Sequence, residues 1–202
     1  MKIVRQASLA ATPWKNGGGL TREAIRVPAS GEPFAWRVSF AQIDRSGPFS
    51  DFSGYVRHMV LLRGAGVRLE FADGGMATLR EVGDSIRFDG AVATSCELLQ
   101  GSCVDLNLIA SAARYSVDAR VERVREPLTW QAQSRQSLLI VPIDAAVVVQ
   151  DMRGMRTRLE SWDLAVGSGT EHGISKLSLA DQQAPCRVFL ARIVDNDAAD
   201  RQ

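Results

Sequence analysis

The sequence is poor in the residues that build metal centres and covalent catalysts. It contains two histidines, His58 and His172, with no His-x-His or His-x-x-x-His pair and no carboxylate at ligand spacing, so neither is expected to hold a metal. Cys96, Cys103 and Cys186 include no Cys-x-x-Cys pair, which suits reduced, buried thiols rather than disulfides or a zinc site. There is no Gly-x-Ser-x-Gly elbow, and neither histidine has a recognisable serine or cysteine partner. Charge of one sign is also missing. Lys and Arg number 24 against 23 Asp and Glu, which excludes the broad basic face of a general nucleic-acid binder. No run of about 18 apolar residues could span a bilayer, and the opening MKIVRQASLAATPW lacks the apolar core of a signal peptide. The expectation is a cytoplasmic protein without cofactor, nucleic-acid partner or membrane partner.

Helical periodicity is equally scarce. What is present instead is a series of Val-, Ile- and Leu-rich runs at 36–43, 58–71, 103–110, 137–150 and 186–194, broken by Gly, Pro, Asp and Ser. Such runs predict an all-β chain folded as sandwiches or barrels, with a polar tail, DNDAADRQ, that frays. Sliding the chain on itself by 79 residues lays HMVLLRGAGVRLEFADGGMATLREVGDSIRF over SLLIVPIDAAVVVQDMRGMRTRLESWDLAVG without a gap. Gly75 then falls on Gly154, Met76 on Met155, Glu81 on Glu160 and Asp84 on Asp163. Self-similarity at a fixed offset predicts two tandem β units, residues 1–112 and 113–202, with the charged stretch 111–133 as linker.

Residues two apart in a strand share a face, so Arg37, Ser39 and Ala41 lie opposite Trp36, Val38 and Phe40, and Asp105 and Asn107 lie opposite Leu106 and Leu108. Four inserted residues bring Cys103 over Cys186, which puts Asp105 over Val188 and Asn107 over Leu190. A polar face that turns apolar in the second copy predicts a pocket in the first unit and a packed core in the second.

Two loops bear on that pocket. The stretch RSGPFSDFSGYVR (45–57) holds Phe49 and Phe52 between turn signals and reads either as a lid at a barrel mouth or as a hairpin capped by its own aromatics. Arg57 follows it and is suited to fork onto a carboxylate. The stretch TPWKNGGGLT (12–21) lacks the Lys-Ser/Thr ending of a phosphate loop and the spacing of a dinucleotide fingerprint. Its glycines either present backbone N–H groups to an anion, beside Lys15 and Asn16, or form a tight turn anchored by Trp14. Pairs of carboxylates, Asp105 with Glu97 or Asp84, are candidates for acid–base work.

The segments PWKNGGGLTREAI (13–25), WRVSFAQI (36–43), GPFSDFSGYVR (47–57), LLRGAGVRL (61–69) and DLNLI (105–109), in this order, resemble the HutD/Ves family of the cupin superfamily. The resemblance implies two tandem cupin-like jelly-roll β-barrels, encoded with histidine-utilisation genes or appearing as a stress-related protein. It also implies binding of a small acidic metabolite such as formylglutamate, and no established enzyme activity. The His, His, Glu and His of metal-binding cupins are absent. The site residues are therefore those taken from this chain: Lys15, Asn16, Arg37, Ser39, Arg57, Asp105 and Asn107. They are expected to hold a small carboxylate metabolite in a metal-free bicupin, which forms a homodimer if the barrels pair. The alternative is a metal-independent isomerase or hydrolase with Asp105 as base and Lys15 or Arg37 stabilising negative charge.

Overall fold

Short β-branched and leucine-rich runs pair antiparallel throughout the computed structural model, which describes residues 1–31, 33–169, 173–180 and 185–196. His172 and the tail from residue 197 lie outside the described residues. The chain opens with β1 (Lys2–Val4). A first series comprises β2 (Thr12–Pro13), β3 (Gly19–Val27), β4 (Trp36–Ile43), β5 (Gly47–Pro48), β6 (Tyr55–Arg63), β7 (Val67–Phe71), β8 (Met76–Leu79), β9 (Ser85–Asp89), β10 (Thr94–Leu98) and β11 (Cys103–Ser111). A second comprises β12 (Tyr115–Val124), β13 (Leu128–Thr129), β14 (Gln136–Pro142), β15 (Val147–Asp151), β16 (Arg156–Leu159), β17 (Leu164–Ser168), β18 (Ile174–Leu179) and β19 (Cys186–Asp195).

The chain divides into two compact units, Leu9–Ala113 and Met1–Ser8 with Arg114–Gln202. In the first unit a sheet ordered β2-β3-β4-β11-β6-β9 accompanies one ordered β5-β10-β7-β8. In the second, β1-β17-β14-β19-β12 accompanies β13-β18-β15-β16. Strand for strand, β4-β11-β6-β9 matches β12-β19-β14-β17, and β5-β10-β7-β8 matches β13-β18-β15-β16. The repeat is thus an architectural one.

Pairing registers refine the expected alignment. Val67 pairs with Leu79 as Val147 pairs with Leu159, so the β7–β8 hairpin maps one residue further on than a slide of 79 allows. Met76 therefore lies over Arg156 and not Met155. The slip arises because five residues, 80–84, join β8 to β9 where four, 160–163, join β16 to β17. Both joints end on an aspartate that caps the turn: Asp84 Oδ2 accepts from the Arg80 and Glu81 N–H groups at 2.8 and 2.9 Å, and Asp163 Oδ2 from the Glu160 N–H at 3.0 Å.

Two expectations are corrected. Residues 1–8 belong with the second unit, because Lys2, Ile3 and Val4 pair with Val166, Ala165 and Leu164 of β17. The stretch 111–133 is no linker, since its middle is the ten-residue β12 paired along its length with β19. Strand β12 is the edge strand of its sheet, and Asp118, Arg120 and Glu122 share one of its faces, with the Arg120 guanidinium 5.1 Å from the Trp130 ring centroid.

Apolar side chains from both sheets form each core. In the first unit Met59, Leu61, Val67, Leu69, Leu79 and Cys96 pack together. In the second, Leu138, Ile140, Val147, Val149, Leu177, Val188 and Leu190 do so, each essentially without solvent exposure. The three glycines have separate duties. Gly17 has a φ of 66° and open space about its Cβ position, whereas a Cβ on Gly19 would lie 2.1 Å from the Gln42 carbonyl oxygen of the neighbouring strand. Gly17→Ala is expected to cost about 1 kcal/mol of stability, the penalty of a left-handed alanine. Gly19→Ala, which must push β3 from β4, is expected to cost roughly 3 kcal/mol or more; urea unfolding midpoints of the two variants check the difference.

Candidate functional site

The odd-numbered side chains of β4 and β11 point into the first unit. Ser39, Asp105 and Asn107 are 2%, 1% and 5% exposed, and Arg57 of β6 is 6% exposed. Such burial of polar groups is costly unless they satisfy one another. Cross-strand register makes that possible: Asn107 stands between Ser39 and Met59, and Asp105 between Ala41 and Leu61. Arg57 Nη2 donates to Asn107 Oδ1 at 2.8 Å, and Asn107 Nδ2 donates to Asp105 Oδ2 in a very short contact. Asp105 Oδ1 and Arg57 Nε are buried without a hydrogen-bond partner.

Aromatic rings complete the setting of the cations. The Arg57 guanidinium lies 4.9 Å from the Phe49 ring centroid, 5.3 Å from Phe52 and 4.9 Å from Phe88. Arg37 lies 5.2 Å from Phe52 and 5.6 Å from Phe34, with Glu23 at 3.8 Å. Ring faces attract both guanidinium groups and exclude water from them.

Arg37, Arg57, Phe49 and Phe52 line a cavity of about 630 Å³ together with Ser39, Asp105 and Asn107. All seven residues named from the sequence contribute to its wall: Arg37, Ser39, Arg57, Asp105 and Asn107 within, and the exposed Lys15 and Asn16 on the glycine-loop side. Phe49 and Phe52 also line the cavity. Their loop is pinned to the frame by the Phe49 N–H to Thr94 O at 2.9 Å and the Phe52 N–H to Gly90 O at 3.0 Å. Phe52 also meets Phe34 and Tyr55 edge-on. The loop is therefore both capped by its own aromatics and part of the cavity.

Of the two readings of the glycine loop, the structure has the tight turn at Trp14, and the paired carboxylates do not meet. The Gly17 and Gly18 N–H groups donate within the loop, to Trp14 O and to Asn16 Oδ1, each at 3.0 Å, and are not presented to a ligand. Glu97 pairs with Arg68 at 2.9 Å on an exposed face and Asp84 caps its turn, so neither joins Asp105. Sequence reasoning took Trp14 only as an anchor and missed Phe88. Trp14 lines the cavity while its indole N–H donates to Thr21 Oγ1 at 2.8 Å. Phe88 reaches Arg57 because β9 pairs Phe88 beside it, a long-range register with no local signature.

Burial raises the Asp105 carboxyl to about 7, against the opposing pull of the Arg57 charge and the Asn107 hydrogen bond. Arg57 is lowered to about 10, chiefly by burial, with Asp105 holding it up and Arg37 pushing it down. Burial likewise pushes the Cys96 thiol up to about 12, which keeps it protonated and unreactive. The cavity thus presents two guanidinium groups to one half-ionised carboxyl, an arrangement suited to an anion. It does not suit a cupin metal ion. No histidine lines it, Asp105 is its one lining carboxylate, and no three His, Cys, Asp or Glu side chains cluster among the described residues.

Three of these positions are filled in the second unit. By register Arg57 corresponds to Leu138, Asp105 to Val188 and Asn107 to Leu190, all three in the apolar core.

Comparison with known proteins gives a consistent picture. A family model described as HutD matches residues 6–186. An uncharacterised 21.2 kDa protein of the hutC 3′ region of Pseudomonas putida is 40% identical over 116 residues, 57% of this chain and 60% of that protein. Protein Ves of Citrobacter koseri is 35% identical over 109 residues, 54% of this chain and 56% of that protein. The match thus spans less than two thirds of these curated relatives. A conserved protein of unknown function from Pseudomonas aeruginosa PAO1 superposes with a TM-score of 0.86 at 30% identity, over 96% of this chain and 98% of the other. HutD from Pseudomonas fluorescens SBW25, solved in a formate condition, gives 0.79 at 29% identity over the same shares. Oxalate decarboxylase from Lactobacillus farciminis gives 0.68 at 7% identity, over 98% of this chain and 89% of that one, a likeness of fold alone. The two units are tandem cupin-like jelly rolls.

The raised Asp105 carboxyl has a stability consequence. Between about pH 4, where an unfolded aspartate titrates, and about pH 7, the folded state holds a proton that the unfolded state has lost. Stability therefore falls as pH rises through this window and levels off above it. Asp105→Asn removes the titration, so its stability relative to the parent should improve by on the order of 4 kcal/mol from pH 4 to pH 8. Urea unfolding at both pH values measures the change; an unchanged difference would return Asp105 to an ordinary carboxylate.

Proposed function

The chain belongs to the HutD family, and from that premise we propose that its first unit binds a small acidic metabolite of the formylglutamate class and restrains histidine utilisation. The observation that carries this reading is the buried Arg57–Asn107–Asp105 chain at the wall of a cavity whose counterpart in the other unit is filled with Leu138, Val188 and Leu190. A guanidinium stacked among three rings has lost most of its water, so a carboxylate that reaches it makes a charge-assisted bond little weakened by solvent. Arg37 offers a second cation across Phe52, Ser39 and Asn107 offer neutral polar groups, and Lys15 and Asn16 stand on the glycine-loop side. A dicarboxylate with a polar acyl group suits two cations accompanied by neutral polar groups. Binding without turnover is enough for a protein that reports metabolite level by favouring one of its states. The family's place among histidine-utilisation genes, and the hutC-region relative, suggest the pathway.

Calorimetry with formylglutamate, formiminoglutamate, urocanate and glutamate tests the reading. One acidic intermediate should bind, with the compound recovered unchanged. Arg57→Leu, which installs the residue of the second unit, should weaken it about ten- to a hundredfold, the loss of a charge-assisted bond of about 1.5–3 kcal/mol. Affinity should also decline as pH rises through about 7, because ionised Asp105 then sets a negative charge beside the incoming anion. Equal affinity in parent and Arg57→Leu would sink the proposal.

A second reading rests on Asp105 alone. A carboxyl raised to about 7 in a cavity is suited to take a proton from a bound substrate, so a metal-independent isomerase or hydrolase is the alternative. Turnover abolished by Asp105→Asn, with affinity retained, would favour it.

A further inference from the structure

The outer face of the small sheet differs in character between the two units. In the first, Arg68 and Glu97 form an ion pair at 2.9 Å, and Glu70 stands beside Ser95 on one side and Met76 on the other. Register carries these positions onto the second unit without ambiguity, since Glu70 pairs with Ser95 and Met76 as Gln150 pairs with Lys176 and Arg156. Likewise Arg68 and Glu97 become Val148 and Ser178. Both acids are thus replaced by neutral residues, and a serine and a methionine by cations. A net acidic face has become a net basic one, in a chain whose 24 cationic residues are otherwise balanced by 23 acidic ones.

The change coincides with a concavity. Lys176, Gln150 and Arg156 stand in one row across β18, β15 and β16, and the segment before β13 brings Arg125 to the same place. Together with Ser178 and one acid, Glu126, they line a groove of about 490 Å³. Among the described residues none of Arg125, Arg156 and Lys176 is held in an ion pair, whereas Arg158, next on the same face, is neutralised by Glu160 at 2.8 Å. Neighbouring strands are about 4.8 Å apart, so the row spans roughly 10 Å at the backbone. Long flexible side chains from such a base can converge on a single group. Two guanidinium forks, an ammonium and the Gln150 amide provide more donors than one carboxylate can accept, and they match the oxygens of a phosphoryl group.

We propose that this groove on the second unit is a binding site for phosphate-bearing small molecules, separate from the cavity of the first unit. Its position on another unit makes the two sites experimentally separable.

The test is calorimetric titration of the full chain with inorganic pyrophosphate and, separately, inorganic phosphate at constant ionic strength in about 0.15 M chloride, where diffuse surface attraction is screened within about 8 Å. Saturable binding of one pyrophosphate per chain is expected. Restoring the first unit's acids, Gln150→Glu with Ser178→Glu, should weaken it at least tenfold, as should Arg156→Met with Lys176→Ser. All four side chains lie on a sheet's outer face, and thermal midpoints identify any variant that fails to fold. Arg57→Leu should leave pyrophosphate binding unchanged. Absence of saturable binding overturns the proposal, as does binding indifferent to both double substitutions. Loss in Arg57→Leu alone would place the anion in the first cavity and overturn it equally.

Discussion

A guanidinium held out of water beside a half-ionised carboxyl is the constraint around which the first barrel is arranged. Arg57 alone at 6% exposure would be untenable as a charge; three ring faces, the Asn107 carbonyl and the field of Asp105 make it tenable. Asp105 in turn tolerates burial only by keeping its proton up to about pH 7 and by accepting from Asn107. Each member of the chain is thus justified by the next. The cavity follows from this, since groups that must face one another across strands cannot be packed over with aliphatic side chains.

The second barrel shows the other solution open to the same strand order. There the three positions are leucine, valine and leucine, and they join an apolar cluster that includes Trp130. Burying three aliphatic side chains contributes on the order of 1.5–3 kcal/mol each, where the polar trio in the first barrel forgoes that gain. Within one polypeptide the same strand order encloses one filled interior and one open cavity.

Much of this was legible in the sequence because strands print their faces at a period of two. The apolar alternation of WRVSFAQI and CVDLNLIA separated Ser39, Asp105 and Asn107 from their neighbours, and the aligned cysteines exposed the swap to Val188 and Leu190. All seven named residues accordingly meet in one cavity. What stayed hidden depended on distant pairing. Phe88 belongs to the site only through β6–β9 register, and β1 belongs to the second unit only through β17. The strand β12 was hidden by its charges, which mark an exposed edge as readily as a linker. The one-residue difference between the joints after β8 and β16 defeats an ungapped comparison, yet alone it decides whether Met76 corresponds to a methionine or to Arg156. The two readings of the glycine loop stayed open for a simpler reason: whether an N–H is free depends on where Trp14 O and Asn16 Oδ1 are placed.

Phe52 stands within 5.2 Å of the Arg37 guanidinium and 5.3 Å of that of Arg57. One ring therefore serves as a shared bearing for two cations. An anion that draws either guanidinium toward itself changes what the ring offers to the other, so the two arginines cannot be re-aimed independently. The ring's own backbone N–H is tied to Gly90 at the end of β9, and its carbonyl to Tyr55 at the start of β6. The support shared by the two cations is thus anchored by its own backbone to residues at the ends of two strands.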